Sequence, residues 1–193
     1  MKTDIILAGV GGQGILSIAT ILGAAALKEE LFLKQAETHG MSQRGGAVVS
    51  HLRISDKEIA SDLIPKGSAD IILSVEPMEA LRYLPFLSRK GYIVTNTTPF
   101  INVPNYPKVE EILEEIEKQP HFVAIDADKM AGEIGNKRAL NMVMLGAATP
   151  FVNIAPEKIE AGIKAVFSKK GEEVVNLNIT AFRAGLEFAL ANK

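Results

Sequence analysis

The sequence has 193 residues, of which 47% are hydrophobic and 23% charged, and a formal net charge of −2 at pH 7. This composition is typical of one globular domain, and it gives no basis for binding to nucleic acid or to an anionic membrane. There is no cysteine, so the chain has no thiolate ligand for an iron–sulfur cluster or for zinc. Its three histidines are dispersed, and we expect no metal site. Asp4 interrupts any signal-peptide pattern, and no apolar run reaches the roughly 20 residues of a membrane span, which indicates a cytoplasmic protein.

The chain begins with the pattern of a strand, a glycine-rich turn and a helix. Residues 5–8 form a continuously apolar run, which is typical of a strand that is buried on both faces. The glycines of a G-x-G-x-x-G pattern occupy residues 9–14, and a helical pattern follows over residues 15–30. This is the opening of a Rossmann-like unit, whose helix N-terminus suits a phosphate or a carboxylate. The alternative is that the glycines only allow the helix to pack tightly on the strand. Glu37, at the end of the next strand, is predicted at the position of a ribose-binding carboxylate.

A second glycine-rich segment, residues 38–46, lies between strand patterns at residues 31–36 and 47–54. It is longer than a tight turn requires, and long polar loops on a rigid scaffold often carry function. Arg44 has little local carboxylate to pair with, so its planar donors are available for a carboxylate or a phosphate. The alternative is a structural loop with solvated polar groups.

The remaining elements alternate between strands and helices. Strand patterns lie at residues 69–75, 91–94 and 121–126, and helical patterns at residues 78–84, 109–118 and 139–148, with two more helices toward the C-terminus. This alternation predicts a single Rossmann-like α/β domain, a mostly parallel sheet with helices on both faces. Gly9, Glu37, Glu76 and Asn96 fall at carboxyl ends of strands, which predicts one site edge. Asn141 is the odd polar residue in an apolar helix, and a buried amide needs partners.

Several motifs together resemble the gamma-type module of the 2-oxoacid:ferredoxin oxidoreductases, and within this family they are most similar to the indolepyruvate branch. The motifs that carry the resemblance are the glycine–glutamine turn at residues 9–14 and the segments at residues 39–46 and 48–51. Further matches lie at residues 63–65, 76–83, 135–139 and 181–185. The resemblance therefore covers nearly the entire chain, as one gamma-type domain over residues 1–193.

The resemblance implies a subunit that is not active alone and has no catalytic residue of its own. In this family thiamine diphosphate, magnesium and iron–sulfur clusters of the 4Fe–4S type lie on the companion large (alpha) subunit. The assembled complex oxidatively decarboxylates a 2-oxo acid, in this branch an indolepyruvate or another arylpyruvate, to its acyl-CoA. Coenzyme A is the co-substrate and ferredoxin accepts the electrons. The gamma-type module is similar to a lid beside the thiamine site.

The candidate ligand- or interface-binding residues come from the two glycine-rich segments and one strand end. They are Gly11, Gly12, Gln13, Gly14, His39, Gly40, Met41, Ser42, Gln43, Arg44, Gly45, Gly46 and Asn96. Two other functions are compatible with the sequence: a purely structural assembly subunit, and a free dinucleotide-binding oxidoreductase fragment. The preferred 2-oxo acid, the stoichiometry and the contact of the turn with coenzyme A stay open.

Overall fold

The computed structural model describes residues 1–40 and 45–192. Its strands are β1 (Lys2–Val10), β2 (Phe32–His39), β3 (Ala47–Ser55), β4 (Ala69–Ser74), β5 (Leu87–Asn96) and β6 (Phe122–Ile125). They form one six-stranded sheet in the order β2-β3-β1-β4-β5-β6. β3 is antiparallel to both β1 and β2, whereas β4, β5 and β6 continue in parallel from β1. All strands except β3 therefore run in one direction, and the sheet is mostly parallel.

Helices cover both faces of this sheet. They are α1 (Ile15–Lys28), α2 (Pro77–Arg82), α3 (Val109–Glu117), α4 (Ala127–Glu133), α5 (Leu140–Ala148), α6 (Pro156–Phe167) and α7 (Glu172–Asn192). Along β1, Ile5 and Leu7 enter the core beneath α1 and α4–α7, and Ile6 enters the core beneath α2 and α3. This alternation explains the continuously apolar run of β1, and the predicted Rossmann-like α/β fold is confirmed. In the described part of the chain, none of the helices combines the length and the apolarity that a bilayer crossing requires.

α5 is anchored in the larger core by an unusually close contact with α7. A Cβ added at Gly146 would lie 1.9 Å from the carbonyl oxygen of Phe182, and one added at Gly185 would lie 1.9 Å from that of Val143. Only glycine allows the two backbones to approach so closely. Residues 142–148 of α5 are all buried. The helix is therefore a fixed platform, and Asn141 lies in its first turn.

The parallel strands all end at one edge of the sheet, which we call the carboxyl edge, and β3 begins there; the opposite edge is called the amino edge. The prediction that Glu37 takes the place of a ribose-binding carboxylate is wrong, because β3 separates β2 from β1. Adjacent strands lie about 4.8 Å apart, so β2 is about 10 Å from β1 instead of beside it. The short connection at residues 40–46 explains this order, since a short loop can join only antiparallel neighbours.

Candidate functional site

At the carboxyl edge the two glycine-rich segments of the sequence are joined by main-chain hydrogen bonds. The N–H of Gly11 donates to the carbonyl of Gly46 at 2.8 Å, and the N–H of Gly45 donates to the carbonyl of Gly11 at 3.4 Å. Gly40 donates to the carbonyl of Ala47 at 2.9 Å, and His39 is the last residue of β2. The predicted site residues Met41, Ser42, Gln43 and Arg44 lie outside the described residues. The structure thus brings the two segments together at the base of the loop.

The glycine turn at residues 9–14 leads into α1 through left-handed backbone conformations. Gly12 has a φ of 103° and Gly14 a φ of 74°, which favour glycine over residues with a Cβ. Gly14 is the N-cap of α1, and no side chain caps this helix end. A cleft of about 280 Å³ lies beside it, lined by Val10, Gly11, Gly12, Gly14, Ile15, Leu16 and Val48. The first N–H groups of α1 and the positive end of its dipole therefore suit an anionic group in this cleft.

The side chain of Gln13 points back into the protein. Its Oε1 accepts a hydrogen bond from the N–H of Val10 at 2.7 Å, and its Nε2 donates to the carbonyl of Val75 at 3.4 Å. The side chain thereby links the ends of β1 and β4. Gln13 was predicted as a ligand or interface residue, and in this structure its polar atoms stabilise the turn from within.

Asn96 has a similar internal role at the end of β5, where it is fully buried. Its Nδ2 donates to Oδ2 of Asp128 at 2.7 Å and to the carbonyl of Val75 at 3.3 Å. Its Oδ1 accepts from the N–H of Ala127 at 3.1 Å. Both polar atoms of the carboxamide are therefore occupied, and Asn96 fixes the end of β5 to the start of α4.

A segment that the sequence did not predict as part of the site lies across this edge. Residues 97–108, which we call the strap, are fixed through Glu76, whose buried carboxylate accepts from the N–H of Phe100 at 3.3 Å and from the hydroxyl of Tyr106. Burial and this hydrogen bond raise the pKa of Tyr106. The Nδ2 of Asn102 then donates to the carbonyl of Gly45 at 2.5 Å. The strap is therefore tied both to the sheet and to the loop at residues 40–46.

The strap presents apolar side chains to solvent. Phe100, Ile101 and Val103 are 43%, 69% and 42% exposed, although Asn102 between them is bonded to Gly45. Isolated exposed apolar residues are ordinary, but three within four residues on a tethered segment indicate a contact surface. Their clustering in a polar loop was the sequence signal that could have identified the strap.

Asn141 approaches the glycine turn from α5. Its Nδ2 donates to the carbonyl of Gln13 at 2.9 Å and to that of Gly14 at 3.1 Å. Its Oδ1 is buried and has no hydrogen-bond partner among the described residues. The sequence marked Asn141 as an odd polar residue without assigning it to the site, and the structure places it against the turn.

Among the described residues, the carboxyl edge presents groups that can bind a ligand or a partner. It offers main-chain N–H donors, a helix N-terminus and exposed apolar side chains. Within residues 1–40 and 45–192, no group of three or more metal-ligating side chains is close enough to hold an ion. Glu79 is paired with Arg82 at 2.9 Å, and burial raises the pKa of Glu79. Since Glu79 also lies in α2, this pair belongs to the packing of that helix.

The sequence of this chain is similar to the sequences of known proteins. Two archaeal proteins named indolepyruvate oxidoreductase subunit IorB align along nearly their full length. The protein from Pyrococcus horikoshii is 39% identical over 96% of this chain and 95% of that protein. The one from Archaeoglobus fulgidus is 35% identical over 100% of this chain and 98% of that protein.

A solved structure has the same fold. The 2-oxoglutarate:ferredoxin oxidoreductase from Magnetococcus marinus, which contains 2-oxoglutarate, coenzyme A and succinyl-CoA, superposes on all of this chain with a TM-score of 0.80 and 24% identity. The chain spans only 32% of that longer polypeptide. The sequence model for the family described as pyruvate ferredoxin/flavodoxin oxidoreductase matches residues 4–188, so the chain belongs to this family of oxidoreductase subunits.

Proposed function

We propose that this chain is the subunit without cofactors of a 2-oxoacid:ferredoxin oxidoreductase of the indolepyruvate type. The complex converts a 2-oxo acid, coenzyme A and oxidised ferredoxin to an acyl-CoA, carbon dioxide and reduced ferredoxin. The bond between the carboxylate and the carbonyl carbon breaks, and carbon dioxide leaves. The sulfur of coenzyme A forms the thioester and releases its thiol proton to solvent, and two electrons pass to ferredoxin. Thiamine diphosphate, magnesium and the iron–sulfur clusters belong to the companion large subunit. The proposed domain is one gamma-type unit over residues 1–193.

The observation that carries this proposal is the similarity along the whole chain to two proteins named as indolepyruvate oxidoreductase subunits. The composition supports the division of labour, because a chain without cysteine has no thiolate ligands for the clusters. Coenzyme A as co-substrate is supported by its presence in a structure of the same fold. The cleft at the start of α1 fits an anionic part of coenzyme A.

We further propose that the carboxyl edge faces the companion subunit and the substrates. The main-chain N–H groups of the glycine turn contact the anionic co-substrate, together with Arg44 and its neighbours in the loop at residues 40–46. The exposed strap residues Phe100, Ile101 and Val103 pack against the companion, since apolar side chains form the cores of stable subunit interfaces. Gln13 and Asn96 take part by holding this surface in place.

The test is reconstitution with the companion subunit under anaerobic conditions. Dye or ferredoxin reduction is measured with indolepyruvate, phenylpyruvate, pyruvate and 2-oxoglutarate, with and without coenzyme A. We expect coenzyme A-dependent turnover by the complex, with an arylpyruvate as the preferred substrate. The chain alone is expected to be colourless and inactive.

Two controls separate the alternatives. Titration of the isolated chain with NADH, NADPH and FAD tests the dinucleotide-binding fragment, and saturable binding would contradict the proposal. The second control measures turnover by the companion subunit without this chain. If its rate equals that of the complex, this chain has only a structural role. Reduction of the dye by the isolated chain would refute the division of labour outright.

A further inference from the structure

The position of Asn141 indicates how the glycine turn is oriented. We infer that Asn141 is a positioning residue that directs the first N–H groups of α1 toward the anionic co-substrate, an inference that rests on the proposed function. It touches neither substrate nor cofactor, and it acts through the main chain of Gln13 and Gly14.

The contact has one chemically sensible orientation. Carbonyl oxygens only accept hydrogen bonds, so the amino group of the Asn141 carboxamide faces those of Gln13 and Gly14, at 2.9 and 3.1 Å. A Cβ added at Gly14 would lie 2.7 Å from this nitrogen, so the side chain is packed directly against the turn. α5 itself is fixed by its close contact with α7.

Holding the two carbonyls determines where the opposite ends of the same peptide groups point. In a trans peptide the C=O and the following N–H lie in one plane and point in opposite directions. The carbonyl of Gln13 shares its peptide group with the N–H of Gly14, and the carbonyl of Gly14 shares its own with the N–H of Ile15. The carbonyl of Gly14 is also held inside α1, by the N–H of Ser17 at 3.1 Å and its hydroxyl at 2.7 Å. The contribution specific to Asn141 is therefore to draw the carbonyl of Gln13 toward α5, so that the N–H of Gly14 points away from α5. Gly14 and Ile15 both line the cleft at the start of α1.

Packing of α5 does not explain an asparagine at this position. Residues 142–148 are buried and mostly apolar, and the Oδ1 of Asn141 is buried without a partner among the described residues. An unsatisfied buried acceptor destabilises a fold, and an apolar side chain of similar size would avoid it. A local destabilisation of this kind is expected at functional positions. Here the side chain that carries the unpartnered oxygen also orients the turn.

The experiment uses the reconstituted complex with two substitutions of Asn141. Asn141→Ala removes the donor, and Asn141→Asp keeps the size but places an acceptor against two carbonyls. We expect the KM for coenzyme A to rise about 10-fold in Asn141→Ala, and at least as much in Asn141→Asp, as follows from loss of one oriented hydrogen-bond donor. The kcat at saturating coenzyme A and the KM for the 2-oxo acid should stay within about twofold.

Asn178 provides a matched control on α7. Its Nδ2 donates to the carbonyl of Val174 at 2.7 Å, within its own helix and away from the turn. Asn178→Ala should leave the KM for coenzyme A unchanged. Hydrogen–deuterium exchange of the amides at residues 11–16 in the full chain should accelerate in both Asn141 variants and not in Asn178→Ala.

Three outcomes would overturn the inference: an unchanged KM for coenzyme A in both Asn141 variants, full rescue by Asn141→Asp, or an equal rise in Asn178→Ala. Full rescue would mean that Asn141 only fills space, and an equal rise would mean general destabilisation. A wild-type complex without coenzyme A-dependent turnover would refute the proposed function instead. In that case unchanged exchange at residues 11–16 would also refute the positioning role, because the exchange measurement does not depend on turnover.

Discussion

The two edges of the sheet differ in how their polar side chains are used. At the amino edge the fully buried Asp4 accepts from Arg53 at 2.8 and 3.1 Å and from Lys2 at 2.7 Å, so formal charges neutralise one another. At the carboxyl edge carboxamides hold glycine-rich main chain, as Asn102 does at Gly45, and apolar side chains of the strap stay exposed. The difference supports the proposal that the carboxyl edge is the binding surface, whereas the polar groups of the amino edge stabilise the fold.

The comparison predicts different effects for substitutions at the two edges. A substitution at the amino edge should change the free energy of unfolding and leave the kinetics of the folded complex unchanged. One at the carboxyl edge should change the kinetics more than the stability. Each edge therefore serves as the control for the other.

The largest effect is expected for Arg53→Met at the amino edge. The substitution keeps the aliphatic stem but leaves Asp4 with Lys2 as its remaining cationic partner, and Lys2 is half-exposed. Two carbonyls in the loop after β3, those of Ser61 and Leu63, also lose their donor at 3.0 Å. Removing one partner of a buried ion pair destabilises by about 3–5 kcal/mol, which urea denaturation of the isolated chain measures directly.

Arg183→Met is the matched control. Arg183 also forms two hydrogen bonds to one carboxylate, that of Glu160 at 2.6 and 2.8 Å, but its side chain is 66% exposed. Solvent screens such a pair, so the urea midpoint should hardly move. Equal losses in the two variants would mean that burial of Asp4 does not decide the energy of its pair.

A smaller effect is expected for Gly12→Val at the carboxyl edge. Its φ of 103° is unfavourable for a β-branched residue, and nothing lies within 4 Å of an added Cβ, so the change acts on the backbone of the turn and on any approaching ligand. We expect a loss of about 1–2 kcal/mol in stability and an approximately 10-fold lower kcat/KM for coenzyme A in the complex.

Gly67→Val separates these two contributions. Gly67 has a φ of 72° and open space around an added Cβ, but it precedes β4 at the amino edge. A positive φ is also unfavourable for valine at this position, so Gly67→Val should lose stability with unchanged kcat/KM. If both variants lost activity in proportion to stability, the glycine turn would have no special part in the reaction.

The fold was predictable because hydrophobic patterns record burial. The apolar run at residues 5–8 and the apolar residues 142–145 indicated a central strand and a core helix, and both are confirmed. Hydrophobic patterns do not record which strands pair. The pattern of β3 would be similar whether or not β3 lay between β1 and β2. The sequence therefore could not exclude β2 as the direct neighbour of β1, and the prediction for Glu37 failed for that reason.

Site residues were predictable by position but not by use. Glycines and polar residues at strand ends identified Gln13 and Asn96. Only the folded structure shows that their side chains form hydrogen bonds within the protein. The strap was missed because its attachment depends on contacts between residues that are distant in sequence, those of Glu76 with Phe100 and Tyr106. The roles of Met41, Ser42, Gln43 and Arg44 stay predictions.

The smallest expected effect is a pH dependence that originates in the middle of β3. His51 is buried in β3, and its Nδ1 accepts a hydrogen bond from the N–H of Ile64 at 3.1 Å. Burial, and secondarily the charge of Arg53, lower the pKa of His51 below its ordinary value of 6.5. Protonation of Nδ1 would remove this acceptor.

The sign follows from the lowered pKa of His51. The unfolded chain binds a proton near pH 6.5 and the folded chain only at lower pH, so the stability from neutral His51 is complete above pH 6.5. It decreases as the pH falls from that value through the pKa of the folded state. His51→Asn keeps an acceptor near the Nδ1 position without titrating. Thermal unfolding of both proteins between about pH 7.5 and pH 5.5 should therefore show a wild type that loses more stability on acidification than the variant. A difference between the two proteins that is the same at both ends of this range would show that His51 does not couple protonation to folding.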